Sequence, residues 1–178
     1  MTDGAALLFL EHSRFFLGTE YLTKLRAAVE AIPADALWWR PNEQSNSAGN
    51  LLLHLNGNIR QWIVCGVGGV QGSRDRAAEF SARNGPPAAA LMADLESALA
   101  DIDRILAGLT PADLSERRTI QGRELTVLEA IYHVVEHFSG HLGQIVLIAK
   151  LHAPDAINFY EDAGGLAQPI WEKRIRAR

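Results

Sequence analysis

Apolar residues recur at helical spacing along four long stretches of the chain, and little of it alternates with a period of two. The first stretch covers residues 5 to 32, with Leu8, Phe15, Leu22, Leu25, Val29 and Ile32 on one face and Pro33 as its stop. The second is expected from about residue 47 to residue 64, fraying into Gly66, Gly68 and Gly69. It follows an aromatic knot, Trp38-Trp39-Arg40-Pro41, and a polar loop whose Ser and Asn residues offer helix caps. The third follows Pro86-Pro87, carries Leu91, Leu95, Leu99, Ile102, Leu106 and Leu109 on one face, and stops at Thr110-Pro111. The fourth runs from about 127 to 151 and opens on a capping box, Thr126-Val127-Leu128-Glu129.

The connections are unequal. Residues 70 to 87 form a charged, Gly- and Pro-flanked link, long enough to hold a short helix or a functional loop. Residues 115 to 125 read as extended, with Gln121-Gly122 as the turn of a small hairpin over the helices. The tail after Asp155 contains Gly164-Gly165 and is expected to end in a short helix around 169 to 175. Four amphipathic helices with little strand signal predict an all-α, four-helix bundle, and the unequal links argue against a simple up-down-up-down order. At 178 residues, with no internal repeat, a single domain spanning 1–178 is expected.

Composition narrows the function classes. Hydrophobic residues make up 48% and charged residues 21%, which excludes whole-chain disorder. A net charge of -4 disfavours a nucleic-acid-coating surface. One cysteine, Cys65, precludes an internal disulfide and fits a reducing compartment. Residues 1–4 carry an acid and no basic region ahead of an apolar run, and no apolar stretch approaches membrane-spanning length. A cytoplasmic protein without membrane contact is the expectation.

The chemistry lies in histidines. The fourth helix reads His133-Val-Val-Glu136-His137-Phe-Ser-Gly-His141-Leu-Gly143-Gln144, with three histidines in successive i, i+4 relation on one stripe. At 1.5 Å rise per residue the outer two are roughly 12 Å apart along the axis, too far for one ion with bonds of about 2 Å. An adjacent pair can share an ion, either His133 with His137 or His137 with His141, and the third ligand must come from another helix. His54, set among leucines in the second helix, is the natural candidate. At about 100° per residue, Asn50, Asn58 and Gln61 fall near it and are expected to orient its ring. Gln144 is placed to orient a water or a substrate. Glu79, in the charged link, is a candidate acid or base folding over the site. Glu136 points away from His137. Arg74 and Arg76 are candidates for binding an anionic substrate or cofactor. Cys65, on an apolar helix, reads as a small core residue, and Trp38, Trp39 and Trp62 read as core or as pocket wall.

Trp39-Arg40-Pro41, a helical His54, and His137-x3-His141-x-Gly143-Gln144 together resemble the DinB-like superfamily of damage-inducible four-helix-bundle proteins. The stretch from Trp62 to Gly69, with Arg74 to Phe80, and the run from Thr119 to Leu151 resemble its DUF1572 branch. The resemblance implies a long crossover between the second and third helices. It implies one divalent metal, often zinc or nickel, on His54, His137 and His141 with water completing the shell, leaving His133 beside the site. The superfamily includes transferases and isomerases that use low-molecular-weight thiols, and members labelled metal-dependent hydrolases. The expected partner is therefore a small-molecule substrate, with such a thiol as one form, and a homodimer is compatible with the apolar helix faces. Three readings have to be separated: a metal-dependent enzyme, a non-catalytic stress-related bundle with a structural metal, and a metal-free bundle with core histidines.

Overall fold

The computed structural model describes residues 2–176, without the side chains of Arg174 and Arg176. Four long helical segments pack around one apolar core. The first begins as α1 (Asp3–Phe15), passes through a π-helical turn at Phe16–Tyr21 and continues as α2 (Leu22–Ala31). The second is α3 (Ala48–Ile59), extended by a π-helical segment at Arg60–Val67, so it runs three residues beyond the expected end. The third is α5 (Ala88–Ala107) and the fourth α6 (Val127–His152). Helix α3 packs on α5 and α6, and α2 packs on α6. Phe138, Leu25, Leu55, Ile59, Leu95 and Ile102 fill the centre. Among the described residues, no helix is long and apolar enough to cross a membrane.

The π turn in the first segment corrects one expectation. A continuous helix would put Leu8, Phe15, Leu22 and Val29 on one face, seven residues apart. The inserted π turn breaks that register, and the buried face is Ala6, Leu10, Ser13 and Leu17, then Leu22 and Leu25. Leu8 and Phe15 are therefore exposed, and Phe15 lies against Trp171 of the tail.

Two capping boxes set the entries of the site-bearing helices. The Thr126 hydroxyl accepts from Glu129 N while the Glu129 carboxylate accepts from Thr126 N, which starts α6 where the sequence places it. Ser47 and Asn50 make the corresponding box for α3. Strands β1 (Arg117–Ile120) and β2 (Arg123–Thr126) form the expected hairpin, Ile120 opposite Arg123, with Gln121 and Gly122 both at positive φ in the turn. The link between α3 and α5 is the long crossover, and it holds the short helix α4 (Arg76–Ser81). The tail adds an unexpected hairpin, β3 (Tyr160–Asp162) with β4 (Ala167–Pro169), before α7 (Trp171–Arg176).

Candidate metal centre

Crossover helix α4 is fastened to the start of α3 by polar groups. Asn50 Nδ2 donates to the carbonyls of Glu79 and Ala82, at 2.8 and 2.9 Å. Arg40 Nη2 donates to the carbonyls of Phe80 and Ala82 and to Asn50 Oδ1. The Arg40 of the Trp-Arg-Pro motif thus holds α4, and α4 carries Glu79 to the face of α3 where His54 lies. Phe80 covers the His54 ring, with centroids 4.5 Å apart.

His54, buried, meets His137 and His141 of α6 there. His54 Nε2 is 3.0 Å from His137 Nε2, and His137 Nε2 is 3.2 Å from His141 Nε2. Ligand atoms of the three rings all lie within 4.8 Å of one another, so the group could hold a metal ion. For comparison, a tetrahedral ion with bonds of 2.0–2.1 Å places its nitrogens roughly 3.3 Å apart.

The hydrogen bonds behind the rings decide where the protons sit. Glu79 Oε2 lies 2.9 Å from His54 Nδ1, and a carboxylate only accepts, so Nδ1 carries the hydrogen, and in a neutral ring Nε2 is then the lone-pair nitrogen. Gln144 Oε1 lies 3.2 Å from His141 Nδ1, which leaves His141 Nε2 bare in the same way. His137 Nε2 therefore faces two lone pairs and has at most one hydrogen to offer. At least one close nitrogen pair lacks a proton between its members, and an electrophile among the three nitrogens satisfies them all. Burial, and after it the neighbouring imidazoles, lowers the His137 pKa to about 3, so its ring is neutral at physiological pH. Burial also lowers His141.

Glu79 is itself held. Arg74 Nε donates to Oε1 at 2.6 Å and Nη2 donates to Oε2 at 2.7 Å, a bidentate pair with both side chains buried. Burial alone would raise the Glu79 carboxyl, but hydrogen bonds from Arg74 and His54 outweigh it and keep it below its ordinary value. Arg74 Nη2 also lies 2.9 Å from His54 Nδ1, a nitrogen that already carries its hydrogen toward Glu79, so Arg74 acts on His54 through the carboxylate. The arrangement is the carboxylate–histidine pairing that fixes a ligand's tautomer and raises its basicity.

Several expectations change here. Asn50 caps α3 and holds α4 rather than touching His54, and Asn58 makes no bond to the ring. Gln61 binds Arg74 and Gln121. Glu79 does fold over the site, but both its oxygens are engaged, which makes it an orienting group rather than a free acid or base. Gln144, exposed to solvent, meets the His141 ring rather than being free to orient a water or a substrate. Arg76 lies over Phe80, 4.8 Å from the ring centroid, away from the histidines. His133 lies against Trp62, with centroids 4.1 Å apart and the rings tilted, and is outside the three-histidine group. Trp62 is core, Trp38 packs against Gly49 and Gly85, and Trp39 meets His152 edge-on, so none of the three lines the histidine group. Cys65 is half-buried in a pocket wall and not in the core.

Gly57, one turn after His54, was not singled out from the sequence. A Cβ there would lie 2.1 Å from Glu79 Oε1 and 2.8 Å from Arg74 Nε, so the ion pair can lie on α3 only because this residue has no side chain. Gly57→Ala should favour the helix itself by about 1 kcal/mol while pushing Glu79 off His54. The expected outcome is an intact fold with metal affinity lower by about 10–100-fold, the usual cost of losing an outer-shell partner. Competition against a chromophoric chelator measures it, and unchanged affinity would show that Glu79 does not position His54.

The sequence model of a family described as a protein of unknown function, DUF1572, matches residues 6–159. No curated protein matches the chain. Among solved structures, a DinB-like protein from Bacillus cereus aligns with a TM-score of 0.62 at 14% identity, covering 80% of this chain and 89% of that one. A DinB-like protein from Bacillus subtilis aligns with a TM-score of 0.58 at 22% identity, covering 81% and 90%. At these identities the two neighbours speak for the fold.

Proposed function

The chain belongs to the DUF1572 family and has the fold of DinB-like proteins, and from that premise we propose that it is a metal-dependent enzyme acting on a small molecule. Its ligands are His54, His137 and His141, and its ion is divalent, zinc or nickel. The observation that carries this reading is the approach of His54 Nε2 and His141 Nε2 to His137 Nε2, at 3.0 and 3.2 Å. Uncompensated, such an approach is costly.

When bound, a divalent ion on three neutral imidazoles supplies Lewis acidity at neutral pH, enough to acidify a water or a thiol. Three protein ligands leave room for a further one, the pattern of catalytic rather than structural zinc sites. His137 and His141 are half-buried, so part of each ring remains open to solvent. The protein's own part is to keep His54 and His141 in one tautomer through Glu79 and Gln144, and to hold the Glu79 charge with Arg74. The two chemistries that fit are hydrolysis and transfer of a low-molecular-weight thiol. No carboxylate among the three-histidine group or its direct partners is left uncommitted as a general base, which favours thiol transfer, where the nucleophile needs only to be deprotonated.

Metal analysis of tag-free protein, followed by a melting curve with and without a strong chelator, tests the reading. About one equivalent of zinc or nickel per chain is expected, with the helical fold surviving its removal and any turnover lost. Wild-type protein that takes up no metal on reconstitution overturns the proposal. Collapse of the fold on chelation makes the metal structural.

A further inference from the structure

A second hollow, of about 400 Å³, shares Arg74 with the candidate metal centre but none of its histidines. Its walls come from the end of the second helical segment, the start of the crossover that follows it, and the end of β1 with its turn, about fifty residues further on. The volume lies in the range of small-molecule sites.

The lining includes two arginines, Arg60 and Arg74, and no Asp or Glu. Arg74 is neutralised by Glu79. Arg60 is not matched in that way. It donates to Asn56 Oδ1 and to the Asp94 carbonyl, both uncharged acceptors, and its ion pair, with Asp101, is loose at 3.7 Å. Gln61 Oε1 accepts from both Arg74 Nη1 and the Gln121 amide, which leaves the Gln61 amide hydrogens without an acceptor among the described residues. Gln121 reaches it from a backbone at φ 54°, a conformation that costs energy in a residue other than glycine. Val64, Val70 and Ile120 supply apolar wall beside these groups.

We propose that this pocket binds a small molecule carrying a carboxylate on an apolar body. The carboxylate meets the Arg60 guanidinium and the Gln61 amide, and the body lies on Val64, Val70 and Ile120. The proposal does not rest on the metal reading: the two sites share Arg74, but no histidine enters this pocket.

Cys65 in the wall is the chain's one thiol and serves as a reporter. Iodoacetate and iodoacetamide both alkylate it by the same step: the thiolate sulfur forms a bond to the methylene carbon and iodide leaves. The thiolate fraction cancels in the ratio of the two rates, so the ratio reads the pull of the pocket on a carboxylate. In folded, chelator-treated protein the iodoacetate/iodoacetamide ratio should exceed that of the urea-unfolded chain by about fivefold, the upper end for one charge pair at a half-exposed site. It should fall back toward the unfolded value in Arg60→Gln, with helicity unchanged. Hexanoate should slow both reagents, and the neutral hexanamide should do so much less. A ratio equal to that of the unfolded chain, equal protection by hexanoate and hexanamide, or a Cys65 unreactive to both reagents while folded would each overturn the proposal. Because the protein is metal-free throughout, these outcomes are independent of whether the three histidines bind an ion.

Discussion

His137→Ala protein is expected to lose its metal altogether, falling from about one equivalent per chain to background, and to lose with it the whole stabilisation the metal gives. The argument rests on position. His137 Nε2 lies within 3.2 Å of both other nitrogens, so its removal deletes the middle of the ligand set rather than one corner. A ligand that binds only the folded state adds RT ln(1 + [L]/Kd), about 2.7 kcal/mol at a hundredfold excess over Kd. The wild type should therefore melt higher with metal than with chelator, and the variant should melt at one temperature in both. The metal-free proteins compared with each other are equally informative. The His137 ring is held neutral by burial, its Nδ1 has no hydrogen-bond partner, and its Nε2 faces two bare nitrogens. Removing such a ring gives back part of what the ring-sized void costs, so the metal-free variant should lie within about 1 kcal/mol of metal-free wild type. A loss of several kcal/mol in the absence of metal, with no metal effect in the wild type, would mean that these histidines are packing residues. Titration calorimetry and urea unfolding of both proteins separate the outcomes.

What was legible in the sequence was local or periodic. The capping box at Thr126, the Gln121-Gly122 turn, the apolar stripes of the last three helices and the His137/His141 spacing are each written within a few residues, and each is found in the structure. What escaped needed either a break in the period or a partner from far away. The π turn at Phe16–Tyr21 changes a helix register without any proline or glycine pattern that compels it, and so Leu8 and Phe15 were assigned to the wrong face. The sequence points to Asn50, Asn58 and Gln61, on the same helix, as the groups that orient His54, and it places Glu79 over the site only as an acid or base; in the structure Glu79, twenty-five residues on, is the group that orients the ring. The clue that existed was negative in form: a glycine at 57, in the middle of a strong helix and one turn from a histidine, is unfavourable unless something must lie against it. The β3–β4 hairpin, built on exposed residues, gave no hydrophobic signal at all.

The second large effect concerns the ion pair behind His54, and it distinguishes what the pair does for stability from what it does for the metal. Arg74 and Glu79 are both buried, their side chains 7% and 9% exposed. Arg74→Met leaves the Glu79 carboxylate buried without its counter-charge and should cost about 3–5 kcal/mol, the usual result of removing one partner of a buried pair. Metal affinity should fall as well, by about tenfold or more, since nothing then holds Glu79 against His54 Nδ1. Arg74→Met/Glu79→Leu should behave differently. Apolar residues of similar volume can replace a buried pair at little cost, or even with a gain, so the double variant should recover most of the lost stability. It should not recover the affinity, because His54 Nδ1–H has lost its acceptor and the ring can turn or change tautomer. Stability restored with affinity still low is the signature of a pair kept to orient a ligand. If affinity returned along with stability, the pair would be only a fastening between α4 and α3, and the orienting role assigned to Glu79 would be wrong. Urea unfolding and competitive metal titration on the four proteins of this cycle provide both quantities. The cycle also bears on the choice of chemistry. A Glu79 that is needed for affinity and locked by Arg74 belongs to the frame of the metal centre, and the base for any hydrolytic reaction would then have to come from the substrate or from solvent.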